Sequence, residues 1–258
     1  MSFKDNKMLI MPAVDIRNGK CVQLVQGKPG TEQVIIENPE KVAKKWEDMG
    51  AEIIHVIDLD GALESKDNLV TIKKILKEVS VPIQLGGGIR SIEYAEKLLN
   101  LDIERLIIGT MAIKNPSTIS QLSDQFQENR IMVSLDSKDG KVVIKGWKEK
   151  IDKTATELSQ EFKDAGAGSI LFTNVDVEGL LKGFDTQPAI DLVNSVDIPV
   201  VYAGGITTIN DVEKLSSTGV KGVVIGSALY KNKINLKKHI EVDFFRFYYL
   251  AFFNNILK

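Results

Sequence analysis

Two carboxylates and four glycine turns carry the chemistry open to this sequence. Asp15 closes the apolar run MLIMPAVD, and Asp136 closes RIMVSLD. They stand in the similar phrases AVDIRNGKCV and SLDSKDGKVV, 121 residues apart. Two opposed carboxylates, with no Cys or His pattern beside them for a metal, suit proton transfer. One is ionised and acts as base, while burial keeps the other protonated as acid. The plainer alternative is that either Asp only caps a loop or helix.

The glycines come in matched pairs. VPIQLGGGIRSIEYAEKL (81–98) and IPVVYAGGITTINDVEKL (198–215) lie 117 residues apart, so Gly87 and Gly88 recur as Gly204 and Gly205. At the same offset Gly109-Thr110 recurs as Gly226-Ser227. Glycine permits a positive φ and close approach of a ligand to the backbone. The first-turn amides of a following helix face outward and favour an anion. One such pair would serve packing equally well. Two matched sets predict two phosphate sites, one at Gly87, Gly88, Gly109 and Thr110, the other at Gly204, Gly205, Gly226 and Ser227. Arg90, in GGGIRS, is assigned to substrate binding. His55 lies inside a predicted strand, as a core or ligand-contact histidine, and His239 is structural or exposed.

Elements that position these residues follow from the apolar pattern. Strands are predicted at Met8 to Asp15 and within EIIHVIDLD, PIQLGG, RLIIGT, RIMVSLD, SILFTNVD, IPVVYAGG and GVVIGS. They are near-continuous apolar runs, as in a parallel sheet buried on both faces. Helical patterns alternate with them. The first, Asn38 to Gly50, has Asn38 as cap, Pro39 in its first turn and Gly50 as stop. The last is a short helix near Lys237 to Ile240. Eight βα units give an α/β fold, a (β/α)8 barrel over residues 1–241. A doubly wound open sheet is the alternative. Two similar half-barrels are expected, about 8–120 and 130–241, with Asp58 of strand two answering Asp176 of strand six. The two phosphate sites then face each other across the mouth, and Asp15 and Asp136 flank the middle of a ligand with a phosphate at each end.

Composition narrows the class. The formal charge is −2 and no basic tract is present, so no nucleic-acid partner is expected. The single cysteine, Cys21, and an N-terminus without an apolar leader fit a reducing, cytoplasmic setting. Residues 242–258 read VDFFRFYYLAFFNNILK and hold seven of the 17 aromatic residues. This aromatic extension is too short and interrupted to span a membrane. It packs on the body, frays, or meets a partner or membrane surface. A monomer is expected, with the tail as the segment through which copies could associate.

The phrases PAVDIRNGKCVQLVQG, HVIDLDGA, GGGIRS, SLDSKDGKVVIKGW, GGITT and IGSALY together closely resemble the histidine-biosynthesis isomerase family, the phosphoribosylformimino-5-aminoimidazole carboxamide ribotide isomerases. The resemblance runs from about Leu9 to Tyr230. It implies an Amadori rearrangement of an aminoaldose bisphosphate to its aminoketose, with no cofactor and no metal. It implies Asp15 as general base, Asp136 as general acid, Thr173 holding the reacting sugar and Trp147 stacking on the imidazole. Some positions depart from the commoner pattern: Gln23 stands for an arginine, Lys28 for an acidic residue, Asn174 for Asp, and Glu178-Gly179 for Asp-Gly. Rival readings are the cyclase that makes imidazole glycerol phosphate, phosphoribosylanthranilate isomerase activity, and a non-catalytic sugar-phosphate-binding barrel. AVDI, HVIDLDGA and the GW after strand five favour the isomerase over the cyclase.

Overall fold

The apolar runs become strands because a closed ring buries both of their faces. The computed structural model describes residues 7–64 and 66–237. Its barrel strands are β1 (Leu9–Arg17), β2 (Ile54–Asp58), β3 (Ile83–Gly86), β4 (Arg105–Ile108), β5 (Ile131–Lys138), β6 (Ser169–Asn174), β7 (Val200–Ala203) and β8 (Gly222–Ile225). Each pairs in parallel with the next. β8 returns to β1 from Leu9↔Gly222 to Pro12↔Ile225. The ring is therefore a (β/α)8 barrel, and the open sheet is set aside.

Two apolar layers hold it. Inside the ring, Leu9, Met11, Ala13, Ile53, Ile107, Met132, Leu171, Val201, Ala203 and Val224 pack together. Outside it, alternate strand residues such as Val14, Val56, Leu85 and Val133 pack against the helices. Those helices are α1 (Pro39–Asp48), α2 (Leu69–Glu78), α3 (Ile92–Leu99), α4 (Ser117–Phe126), α5 (Ala155–Asp164), α6 (Gln187–Ser195) and α7 (Ile209–Ser216). Sequence signals set their ends. Thr154 and Glu157 form a reciprocal capping box on α5, and Gly166 ends that helix at φ 93°.

Several expectations change. Asn38 precedes α1 but is in the left-handed region, at φ 57°, and makes no side-chain cap bond. Its carbonyl accepts from Lys41 N at 2.9 Å. Asn tolerates that conformation, which turns the chain into Pro39. Short helices at Leu59–Glu64 and Thr110–Lys114 were not anticipated. After β8 the described helix is Ser227–Tyr230, and the helix expected at 237–240 lies, beyond Lys237, outside the described residues. His239 and the aromatic segment 242–258 also lie outside them.

The glycines of the two similar phrases share their backbone angles. Gly87 and Gly204 have φ of 99° and 101°, and Gly88 and Gly205 have φ of 72° and 73°. The partner of Asp58 is corrected. A Cβ on Gly87 would meet Asp58 O at 2.2 Å, and one on Gly204 would meet Asn174 O at 2.4 Å. Asn174, not Asp176, therefore takes the place of Asp58. Asp176 is exposed and accepts from Asp139 N at 2.9 Å. Among the described residues no helix is long and apolar enough to cross a membrane.

Candidate active site

The C-terminal ends of the strands open into a cleft of about 1040 Å³. It is lined by Asp15, His55, Arg90, Asp136, Trp147, Thr173 and Glu178, and by Gly87, Gly88, Gly109, Thr110, Gly204 and Gly226. The structure thus gathers most of the residues the sequence singled out. Gly205 and Ser227 are not among the lining residues. Ser227 lies next to Gly226 and is buried, and a Cβ on Gly205 would meet Val177 Cγ2 at 2.6 Å.

The glycines divide into two kinds. Gly87 and Gly204 are needed for packing, since a side chain there would run into the preceding βα unit. Three of the amides that follow them are also occupied. Tyr94 N donates to Ser91 Oγ at 3.2 Å, and Thr207 N and Thr208 N donate to Asp211 Oδ2 at 3.1 and 2.8 Å. At α3 and α7 the helices' own side chains thus take some of the amides expected to face a ligand. Gly109 and Gly226 differ. They cap Thr110–Lys114 and Ser227–Tyr230 with φ, ψ of −102°, −98° and −102°, −101°, and neither helix has a side-chain cap. A Cβ on Gly109 would meet nothing closer than Ser134 at 3.7 Å. The space at Gly109 would thus admit a Cβ, whereas one on Gly226 would lie 2.3 Å from Gln23 Oε1, and at both turns the missing side chain leaves the backbone open on the cleft side.

Asp15 points into the cleft from β1 and accepts from Gln23 Nε2 at 3.1 Å. Burial pushes its carboxyl up to about 7, against the lowering effect of the Gln23 amide. Asp136 projects from β5. Its Oδ1 accepts from Ser134 Oγ at 2.7 Å and its Oδ2 from Trp147 Nε1 at 2.8 Å. Trp147 reaches it from a loop in which Lys145, Gly146 and Trp147 all have positive φ. The ring packs over the turn that holds Gly27, so that a Cβ there would lie 2.8 Å from it. Thr173 is buried beside Asp136, its register partner in the β5–β6 pair.

Glu178 is the group that sequence reasoning passed over, noted only as a departure from Asp-Gly. It lines the cleft, and burial pushes its carboxyl up to about 7, with the charges of Asp15 and Asp136 adding to the rise. The available signal was an acidic residue shortly after strand six. Placing it over the mouth required the loop's own path, in which Gln26 N donates to Glu178 O at 3.3 Å.

His55 forms part of the floor. Its Nδ1 accepts from Gln84 Nε2 at 2.7 Å, and Gln84 Oε1 accepts from Arg105 Nη1 at 3.2 Å. Burial lowers the His55 pKa to about 4, so the ring is neutral at pH 7. Arg90 is exposed at the rim, and its Nη2 donates to Gly61 O at 2.7 Å. Among the described residues no group of three or more His, Cys, Asp or Glu side chains is arranged to hold a metal ion.

These features define a class: a (β/α)8 barrel with a carboxylate cleft between two matching bare turns. Comparison with known proteins narrows it. Residues 9–235 match the family model described as "Histidine biosynthesis protein". Three methanogen proteins are similar along nearly their whole length. Those of Methanothermobacter thermautotrophicus, Methanosphaera stadtmanae and Methanocaldococcus jannaschii are 58%, 60% and 51% identical over 234, 230 and 235 residues. The aligned segments cover 91%, 89% and 91% of this chain and 98%, 97% and 99% of those proteins. Each of the three is named 1-(5-phosphoribosyl)-5-((5-phosphoribosylamino)methylideneamino)imidazole-4-carboxamide isomerase. The chain belongs to the histidine-biosynthesis family of barrels.

Proposed function

We propose that this protein is the aldose–ketose isomerase of histidine biosynthesis that its relatives are named for. The substrate is the aminoaldose carrying a phosphoribosyl group at each end, and the product is its aminoketose. The observation that carries the reading is Asp15, a carboxyl raised to about 7 on the wall of a cleft with a bare turn on each side. A base poised near neutrality is suited to removing a proton at physiological pH.

Asp15 is the base. An acid first protonates the ring oxygen, the C1′–O bond breaks, and an open Schiff base forms. Asp15 then takes the C2′ proton, giving an enolamine. That species gains a proton at C1′ and loses one from the C2′ hydroxyl, leaving a ketone and no net change of formula. One phosphate rests at Gly109-Thr110 and the other at Gly226-Ser227. Thr173 holds the sugar, and Trp147 leaves Asp136 to stack on the imidazole. The reaction belongs to the cytoplasm, and the chain acts as a monomer.

Asp136 is the acid in this scheme, once Trp147 has released it. A second reading gives that role to Glu178, because both Asp136 oxygens already accept hydrogen bonds while Glu178 titrates near 7. One assay separates them. Purified protein receives the aminoaldose bisphosphate alone, without ammonia or glutamine, and ketose formation is followed. Asp15→Asn should lose about a thousandfold in kcat, within the span of general base catalysis. A loss of that size in Asp136→Asn but not in Glu178→Gln keeps the acid at Asp136, and the reverse result moves it. Turnover of the ketose only on adding ammonia would favour the cyclase.

A further inference from the structure

We propose that Gln23 is a positioning residue, whose amide ties the carboxylate of Asp15 to the turn at Gly226-Ser227. The proposal rests on Asp15 being the base.

Gln23 ends the strand Lys20–Gln23, which pairs antiparallel with β1 and sets Val22 opposite Asp15. It is 2% exposed. A buried amide needs partners for both ends, and here they belong to two parts of the mouth. Nε2 donates to Asp15 Oδ2 at 3.1 Å and to Val22 O at 2.9 Å. Oε1 accepts from Ser227 Oγ at 3.3 Å. It also lies 2.3 Å from where a Cβ on Gly226 would sit, so the bare turn and the amide fit each other. Turning the amide over would set its oxygen against two acceptors, and this fixes which end faces the base. Among the described residues Gln23 is the side chain that donates to Asp15.

The amide therefore does two things. It orients the Oδ2 of the base and favours its ionised form, since a donor stabilises a carboxylate. It also senses the turn, because an anion on the Gly226-Ser227 amides draws the Ser227 hydroxyl away from Oε1. The arginine common at this position in the resembling family would supply a donor and a charge. Glutamine supplies only the donor.

Other groups around Asp15 bound the test. They are Cys21 on the same ribbon, Tyr230 behind it, His55 on β2, Glu178 above and Asp136 across the mouth. Cys21 is pushed up to about 12, Tyr230 well above its ordinary value and His55 down to about 4, so none of these three changes charge between pH 5 and 9. Glu178 titrates in the same window as Asp15. The reading is therefore made on Asp15 itself, by carboxyl NMR of protein with labelled aspartate, and repeated in a Glu178→Gln background.

Gln23→Met keeps the length and removes the donor. The Asp15 midpoint, and with it the acid limb of kcat/KM, should rise by about one pH unit, a tenfold loss at pH 6 and less than about threefold at pH 9. Gln23→Arg should bring the limb back to the parent position or below. An unmoved midpoint in a Gln23→Met protein with the parent's Tm overturns the proposal, as does an arginine form that behaves like the methionine form. If Gln23→Met does not fold, Ser227→Ala frees the same amide and should give a smaller shift of the same sign, and no shift there overturns it equally. The base assignment fails separately, if Asp15→Asn turns over at the parent's rate.

Discussion

The turns at Gly109 and Gly226 share a backbone and differ in what is placed around it. At Gly109 the surroundings are cationic: Arg90, Lys114, Lys145 and Lys148 line that part of the cleft, and Lys145 N donates to Thr110 Oγ1 at 2.9 Å. At Gly226 no lysine or arginine of residues 169–230 lines the cleft, and Gln23 bridges the turn to Asp15. The dihedral angles repeat, with φ, ψ of −102°, −98° at one turn and −102°, −101° at the other. The charges are free to diverge because they arrive on loops. Under the proposed function, equal sockets would let a substrate bind in either direction, and unequal ones would give it a polarity.

Alanine at Gly87 and at Gly204 tests the shared scaffold most severely. Each methyl meets a carbonyl at 2.2 or 2.4 Å, and each protein should lose at least about 3 kcal/mol in urea unfolding. Losses that differ by more than about 1 kcal/mol would break the equivalence of the halves. Trp147→Phe probes what is unique to one side. It removes the donor to Asp136 Oδ2 and shrinks the ring proposed to stack on the imidazole, and through the poorer stacking kcat should fall about tenfold with stability changed by less than about 0.5 kcal/mol. A fall in stability instead would make Trp147 a packing residue.

Glu178→Gln tests the loop over the second half. Its carboxyl is raised from 4.5 to about 7, so the folded protein binds the extra proton between those values. That contribution is full below pH 4.5 and is lost as pH rises through 7. Removing the charge should raise Tm by about 3 °C at pH 8 and leave it unchanged at pH 4. The opposite pattern in a thermal scan would mean the group is ionised at little cost. The smallest effect is expected at Lys114→Ala, where KM should rise about threefold at low salt and converge on the parent near 0.5 M KCl. Ser227→Ala should show no comparable dependence on salt, and equal salt slopes would erase the asymmetry.

Eight strands could be read from the sequence because each is a short apolar run bounded by glycine or a charge, a pattern that burial on both faces imposes. The repeat revealed the paired turns. The sequence could not separate glycines that avoid a clash, as Gly87 does, from those that leave backbone bare, as Gly109 does, because the difference lies in distant atoms. Pairing Asp58 with Asp176 failed for a related reason. Residue type matched, but the register places Asn174 there. The placement of Glu178 and Trp147 depends on where loops cross the mouth, and that of Gln23 on what its side chain meets beyond its own strand, and no local periodicity encodes either.

Ring closure has a consequence for the chain as it is made. Leu9 on β1 waits for Gly222 on β8, 213 residues later, and Asp15 sits on that same first strand. A ribosome that has delivered seven strands has delivered an open sheet with two raw edges, which are sites for mispairing with other chains. Asp15 reaches its final surroundings only when β8 and the Ser227–Tyr230 helix emerge, where Tyr230 Oη donates to Ala13 O at 2.7 Å. Messages cut short within the last tenth of the barrel should therefore yield aggregates and not weak enzymes.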